Sequence, residues 1–224
     1  MHAQHGEPLL RQVGSGLLLK LRDHQKVGVA FLLKCLAGGQ PVQQECGGRG
    51  AILADGMGLG KTLQAIVAAW AIICRPEHSE QTAQGQKALI LCPASLVRNW
   101  LSEIGQWLSG ECHAVGIDKM SAASVGREIR NWHDYFAPMF LIMSYETFRI
   151  HSAHISSGPL SIVVADEAHR LKKLETSLAK SIIKLCPRRL LLTGTPIQNS
   201  LDELYNLMEI ANPGVLGSAK AFRI

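Results

Sequence analysis

Several things are scarce in this chain of 224 residues, and each absence removes a class of protein. Its six cysteines, Cys35, Cys46, Cys74, Cys92, Cys112 and Cys186, are scattered and include no Cys-x-x-Cys pair. That spacing excludes the usual zinc arrangements and argues against a disulfide-stapled secreted scaffold, so reduced, mostly buried thiols are expected. The N-terminus, Met1-His2-Ala3-Gln4-His5-Gly6-Glu7-Pro8, shows no basic segment followed by an apolar run, hence no visible signal peptide. The longest apolar stretch, Leu63–Cys74, is interrupted by Gln64 and falls short of the roughly 20 residues that a bilayer span requires. A soluble, intracellular protein with no membrane partner is the expectation. Internal repeats and low-complexity tracts are also missing.

What is present is ample core material. Hydrophobic residues make up 47% of the chain, enough for one large domain and incompatible with a disordered protein. Lys and Arg number 23 against 18 Asp and Glu, a formal charge of +5, which favours a polyanionic partner without defining one.

Short apolar runs alternate with longer helical stretches, the pattern of an α/β fold in which crossover helices cover both faces of a mostly parallel sheet. Strands are predicted at Ala51–Ala54, Ala88–Cys92, Ala114–Ile117, Phe140–Met143, Ile162–Ala165 and Leu190–Thr193. Helices are predicted near Lys61–Cys74, Leu96–Leu108, Ser121–Trp132, Ser177–Leu185 and Leu201–Ile210. Ile162-Val163-Val164-Ala165 and Leu190-Leu191-Leu192 are apolar without alternation, as strands buried on both faces should be. The stretches Gly38–Gly50 and Arg75–Gln86 read as surface loops, and Met1–Gly16 as a poorly ordered lead into a domain covering residues 17–224.

The most informative segment is Asp55-Gly56-Met57-Gly58-Leu59-Gly60-Lys61-Thr62, which follows one apolar strand and opens a helix. Gly56, Gly58 and Gly60 let backbone N–H groups turn inward around phosphate oxygens, and the helix N-terminus adds a favourable dipole. Lys61 would neutralise the β and γ phosphates of ATP, and the Thr62 hydroxyl would ligate Mg²⁺. The strict GxxxxGK[ST] pattern would place Gly where this chain has Asp55. A second strand, Ile162–Ala165, runs directly into Asp166-Glu167-Ala168-His169. Asp166 there can hold Mg²⁺, and Glu167 can orient and deprotonate an attacking water. Taken alone, such an acidic pair is commonly a helix N-cap region. A third strand leads into Thr193-Gly194-Thr195-Pro196, either a structural turn or a sensor of the γ-phosphate region. Leu21-Arg22-Asp23-His24-Gln25-Lys26 places an amide, Gln25, and cations ahead of the loop, suited to an adenine edge; without the loop it reads as the start of an amphipathic helix. His151 and His154, spaced three apart, are a weaker candidate for metal binding.

Taken in order, these segments resemble the SWI/SNF family of DNA-dependent ATPases within helicase superfamily two. The resemblance runs from Leu21 to Gly217 through LRDHQK, DGMGLGKT, LILCPASLVRNW at Leu89–Trp100, MSYETFR at Met143–Arg149, DEAHRLKK at Asp166–Lys173 and LLTGTPIQN at Leu191–Asn199. Within the family, the segments at Ser95–Trp100 and Ser144–His151 look most like the recombination-repair subgroup of Rad-fifty-four, although nucleosome remodellers share the skeleton. The resemblance implies a RecA-like P-loop lobe that binds ATP and Mg²⁺ and drives translocation on double-stranded DNA without strand separation. It also implies a nuclear setting and a recombinase filament or nucleosome as partner. By the family's pattern, Ser95, Arg98, Asn99, Ser144 and Arg149 would track a DNA strand through its phosphates, and Thr193, Gly194 and Thr195 would couple the nucleotide to movement. The cations Arg170, Lys172, Lys173, Lys180, Lys184, Arg188 and Arg189 fit a DNA path and equally a solvated helix face.

Three positions depart from the family: Gly56 stands where Glu is usual, Asp23 where Pro is, and Lys173 where Asn is. No sequence for the second lobe of such motors follows. The family's second lobe supplies arginines worth on the order of 10³–10⁵ in rate, so weak ATP·Mg binding and very slow turnover are expected of this chain. A regulatory module that binds nucleotide, DNA or a partner without catalysis is the competing reading.

Overall fold

The computed structural model describes residues 15–37, 48–74, 87–135, 137, 139–156, 160–171, 177–194 and 201–222. In chain order the elements are α1 (Ser15–Leu19), α2 (Asp23–Leu36), β1 (Arg49–Leu53), α3 (Lys61–Ile73), β2 (Lys87–Cys92), α4 (Val97–Trp107), β3 (His113–Ile117), α5 (Ala122–Asp134), β4 (Met139–Ser144), α6 (Tyr145–Ile155), β5 (Ile162–Ala165), α7 (Ser177–Leu185), β6 (Arg188–Leu192), α8 (Leu201–Ala211) and α9 (Ala219–Phe222). Short 3₁₀ turns at Ala94–Leu96 and Ala168–Leu171 precede α4 and follow β5.

Six strands form one sheet in the order β1-β6-β5-β2-β4-β3, with every pair parallel. All six predicted strands are found, each within two residues of its expected ends. Strands β2, β4, β5 and β6 are buried at every position, which is why their sequences carry no alternation. Their side chains feed two cores. Ala88, Ile90, Phe140, Ile142, Val164 and Leu190 pack with α2, α3 and α4, whereas Leu89, Leu91, Leu141, Met143, Val163 and Leu191 pack with α5 to α8. The expected helices on both faces are therefore present.

Helix character follows burial. From Leu63 to Ile73 every residue of α3 is buried, so this helix is apolar around its whole circumference, as a central helix must be. Helices α4 and α5 each bury one stripe, Val97, Trp100 and Ile104 in the first and Val125, Ile129 and Trp132 in the second.

Four expectations need adjustment or lie outside the structure. Helix α1 begins at Ser15, inside the segment expected to be a disordered lead, because Leu17 and Leu21 are drawn into the first core. Strand β1 starts at Arg49, inside the Gly38–Gly50 stretch expected to be a loop. Helices α2 and α6 were not in the predicted set, although α2 grows from the Leu21–Gly28 segment. The rest of the Met1–Gly16 lead, most of the two loop stretches, Cys46, Lys172, Lys173 and Thr195 lie outside the described residues.

Arg188 and Arg189 require a correction. They do not belong to any solvent-facing cationic run; they open β6 at 8% and 4% exposure. The Arg188 guanidinium donates to the carbonyl of Leu36 at the end of α2 (3.2 Å). Arg189 donates to Ala211 at the end of α8 (3.2 Å), Ile183 in α7 (2.8 Å) and Cys186 (2.7 Å). Lys87, the first residue of β2, is likewise fully buried, and its ammonium donates to the carbonyls of Tyr135 and Ala137 after α5. A parallel sheet delivers helix C-termini to the edge where its strands begin, and a buried cation there satisfies carbonyls that would otherwise have no donor.

Among the described residues no helix is long and apolar enough to cross a membrane. The described cysteines are free, and burial pushes Cys74 and Cys92 up to about 12 and Cys112 up to about 11.

Candidate nucleotide site

The opposite edge, where the strands end, gathers the predicted chemistry. β1 runs into residues 54–60, which turn into α3. Gly58 and Gly60 both sit at φ +80°, in the left-handed region that glycine enters without penalty. Gly60 is the N-cap of α3, and a Cβ on it would meet the Gln25 amide nitrogen at 2.2 Å. Lys61 lies across the mouth of the loop and donates to the carbonyls of Asp55 (2.8 Å) and Gly56 (3.0 Å).

Gln25, expected to meet an adenine edge, is 7% exposed and engaged with backbone. Its oxygen accepts from the Arg22 N–H (2.9 Å) and its nitrogen donates to the Leu59 carbonyl (3.3 Å). It braces the phosphate loop against α2. Next to it a cleft of about 670 Å³ is lined by His24, Val27, Phe31, Leu53, Leu59 and Gln64 among others. Gln64 itself was missed as a site residue. It is fully buried in α3 and its nitrogen donates to the Asp55 carboxylate (2.9 Å), tying the start of the loop to the helix that ends it. The available signal was its position as the one polar residue in the Leu63–Cys74 run, since a buried amide must find a partner.

In the sheet order only β6 separates β1 from β5. Thr193, just after β6, is 1% exposed and donates its N–H to the Leu53 carbonyl at the end of β1 (3.1 Å). Gly194 follows, close enough to the loop that a Cβ there would lie 3.6 Å from Met57 Cγ. The structure therefore places Thr193 and Gly194 between the phosphate loop and the acids.

Every polar atom of Asp166 is engaged. Its backbone N–H donates to the Leu91 carbonyl (2.7 Å), and one carboxylate oxygen accepts from the Glu167 N–H (2.9 Å). The other carboxylate oxygen accepts from the Trp100 indole N–H (2.9 Å), and the Asp166 carbonyl accepts from the Tyr145 hydroxyl (2.6 Å). Burial pushes the carboxyl above its ordinary pKa; the Trp100 and Glu167 hydrogen bonds and the Lys61 charge pull the other way. Burial also holds the Tyr145 phenol well above its usual value, so it stays a neutral donor. Glu167 stands at φ +49°, a left-handed backbone in a residue that is not glycine. Its carboxylate lies 3.2 Å from His169 Nδ1, inside ion-pair range but without hydrogen-bond alignment. Trp100 and Tyr145 were not among the predicted site residues. Their signal was an aromatic body with a polar tip, which seeks a partner when buried.

The predicted DNA-contacting residues separate. Ser95, Arg98, Asn99 and Arg149 are exposed. Arg98 forms an ion pair with Asp118 (2.8 Å) while remaining largely in solvent. Ser144 is 5% exposed and its hydroxyl caps α6, accepting from the Thr147 N–H (3.0 Å). The His151 and His154 rings lie 5.9 Å apart, tilted by 50°, and among the described residues no group of three or more His, Cys, Asp or Glu is arranged to hold a metal ion.

A parallel sheet whose strand ends carry a glycine loop with Lys-Thr, a hydroxyl turn and an acidic pair defines a nucleotide-binding domain of the P-loop class. Residues 24–224 match the SNF2-related domain, and the chain belongs to that family. It is 39% identical over 213 residues to "DNA repair and recombination protein RAD54-like" of Gallus gallus, covering 91% of this chain and 28% of that one. It is 39% identical over 214 residues to "Protein CHROMATIN REMODELING 25" of Arabidopsis thaliana, covering 94% and 23%. Among solved structures, the Sulfolobus solfataricus SWI2/SNF2 ATPase core in complex with dsDNA is similar at a TM-score of 0.63 and 27% identity, over 91% of this chain and 38% of that one. The chain thus spans less than a third of the length of these curated relatives.

Proposed function

We propose that this chain is the ATP-binding lobe of a DNA-dependent ATPase that translocates on double-stranded DNA in the nucleus, in recombination repair or chromatin remodelling. The observation that carries the reading is the meeting, at one sheet edge, of the Gly58–Gly60 turn and Lys61 after β1 with the half-buried Asp166 after β5, two strands that only β6 separates. Residues Asp55 to Thr62 hold the triphosphate, with Lys61 turning its ammonium from the Asp55 and Gly56 carbonyls to the phosphates. The cleft lined by His24, Val27 and Phe31 takes the adenine, and Gln25 keeps the loop in shape beside it.

The donor set suits Mg²⁺: a hydroxyl on Thr62 at the first turn of α3 and a preoriented carboxylate on Asp166 are hard oxygen ligands, and such sites usually complete their shell with phosphate and water. When bound, Mg²⁺ would offset charge on the β and γ phosphates. Glu167 orients a water and takes its proton as the water attacks the γ-phosphorus and the bond to the β-phosphate oxygen breaks, giving ADP and phosphate. Ser95, Arg98, Asn99 and Arg149 contact DNA phosphates, with Ser144 fixing the turn that presents Arg149. Phosphate contacts position a duplex without reading its sequence, which suits a translocase. A recombinase filament or a nucleosome is the protein partner that this reading implies.

The test is nucleotide binding by wild type, Lys61→Ala and Glu167→Gln. Lys61→Ala should weaken ATP·Mg by about 100-fold, the scale of removing a charge-assisted contact, whereas Glu167→Gln should bind normally and lose residual hydrolysis. Equal ATP affinity in wild type and Lys61→Ala would refute the site; binding with no turnover, even with duplex DNA and a second lobe from a related motor, would favour a regulatory module.

A further inference from the structure

Two segments assigned to DNA in the reading above each send one buried aromatic side chain to the same residue. α4 begins with Val97, Arg98, Asn99 and Trp100. Arg98 and Asn99 face solvent, while Trp100 is 1% exposed and donates to the Asp166 carboxylate (2.9 Å). α6 begins with Tyr145, which is 4% exposed and donates to the Asp166 carbonyl (2.6 Å), and Arg149 stands one turn further along the same helix. Sheet order explains the convergence. β5 is flanked by β2, and β2 by β4, in a register that aligns Leu91 with both Ala165 and Met143. The ends of these three strands therefore lie side by side, and the helices that follow β2 and β4 flank the turn after β5. Because Trp100 holds the side chain and Tyr145 the backbone, a small tilt of either helix has to move Asp166 or break a charge-assisted or buried hydrogen bond.

We propose that Trp100 and Tyr145 are positioning residues that link the duplex-facing first turn of α4 and the Arg149 turn of α6 to Asp166, so that DNA engagement sets the geometry of the metal-binding carboxylate. This rests on the nucleotide and DNA reading given above. Neither aromatic residue touches DNA or nucleotide; each acts through Asp166. The link is reciprocal: whatever factor DNA applies to metal–nucleotide affinity, metal–nucleotide applies to DNA affinity.

The test measures that factor in the full chain by titrating ADP, with and without Mg²⁺, in the presence and absence of a short mixed-sequence duplex. In wild type the duplex should change ADP·Mg affinity by at least about fivefold, the lower end of typical coupling, and have little effect on ADP without Mg²⁺. Trp100→Phe removes the indole N–H together with part of the buried ring volume, whereas Tyr145→Phe removes only the hydroxyl. In each the coupling factor should fall below about twofold, while affinity for Mg²⁺-free ADP and for duplex alone stays within about twofold of wild type. Tyr145→Phe is nearly isosteric, so the test stands even if Trp100→Phe unfolds the chain. Undiminished coupling in Tyr145→Phe, or a wild-type chain that binds both ligands without coupling, overturns the proposal. A wild-type chain that fails to bind ADP overturns the nucleotide reading first and this one with it.

Discussion

The two edges of the sheet are built from the same elements and do opposite work. At the edge where strands end, helices present N-termini, the backbone turns through Gly58 and Gly60, and the titratable residues are half-exposed: Lys61, Asp166 and Glu167. At the edge where strands begin, helices present C-termini, and three buried cations, Lys87, Arg188 and Arg189, are spent on carbonyl oxygens. The helix dipole favours anions at the first edge and cations at the second. One edge is arranged to receive an anion from outside; the other supplies its own cations internally. Binding and stability should therefore respond to mutation at different edges.

The sharpest contrast pits Arg189→Met against Lys61→Ala. Arg189→Met strands the carbonyls of Ala211, Ile183 and Cys186, and each buried acceptor left without a donor costs about 1–3 kcal/mol. A loss of about 3 kcal/mol or more in denaturant unfolding is expected, with normal nucleotide affinity in whatever remains folded. Lys61→Ala should do the reverse, costing the roughly 100-fold in ATP·Mg affinity already stated while shifting the unfolding free energy by no more than about 0.5 kcal/mol. Similar destabilisation by both would break the division of labour.

A subtler effect separates Lys87 from its surroundings. Burial pulls its ammonium down to about 8, so between there and its ordinary range the unfolded chain holds the proton that the folded chain releases. Stability from this residue therefore rises as pH climbs through that window and is lowest below it. The raised thiols of Cys74, Cys92 and Cys112 act in the opposite direction above their ordinary range, but they are common to wild type and Lys87→Met. The difference in unfolding free energy between those two proteins, followed from pH 7 to about 10.5, should move in favour of wild type; a flat difference would show that Lys87 is not held as a buried charge.

The smallest effect lies at Glu167. Its left-handed backbone costs on the order of 1 kcal/mol in a residue with a side chain, partly offset by the greater chain entropy of glycine when unfolded. Glu167→Gly should raise stability by up to about 0.5 kcal/mol by thermal or denaturant melting, at the edge where substitutions otherwise cost little stability.

This division also explains what could be seen in the sequence. The strands and the phosphate loop were legible because their signals are local: unbroken apolar runs for strands buried on both faces, and glycines at fixed spacing before Lys-Thr. Arg188 and Arg189 were misjudged because an arginine beside a basic helix has the same sequence signature whether it faces DNA or caps carbonyls; only the strand order, which brings β6 beneath α2 and α8, decides. Trp100 and Tyr145 were overlooked for the same reason. Their bonds to Asp166 span 66 and 21 residues and exist only because β5, β2 and β4 are neighbours. Helix α6 hid behind its motif, although Tyr145 and Phe148 are spaced as one buried face. Gln64 was visible as an anomaly within an apolar helix but had no partner until the loop folded back over it.

The backbone at Glu167 bears on how such a chain drifts over generations. Selection for folding alone favours a glycine there, since it relaxes the turn. Keeping a glutamate requires a separate pressure, and the reaction assigned to this edge is the one that uses its carboxylate. Were hydrolysis to become dispensable in some descendant, thermodynamics and mutational chance would push in the same direction at this codon. Position 167 would then be an early place for the loss to register, while the arginines at the far edge persisted for as long as the domain had to fold.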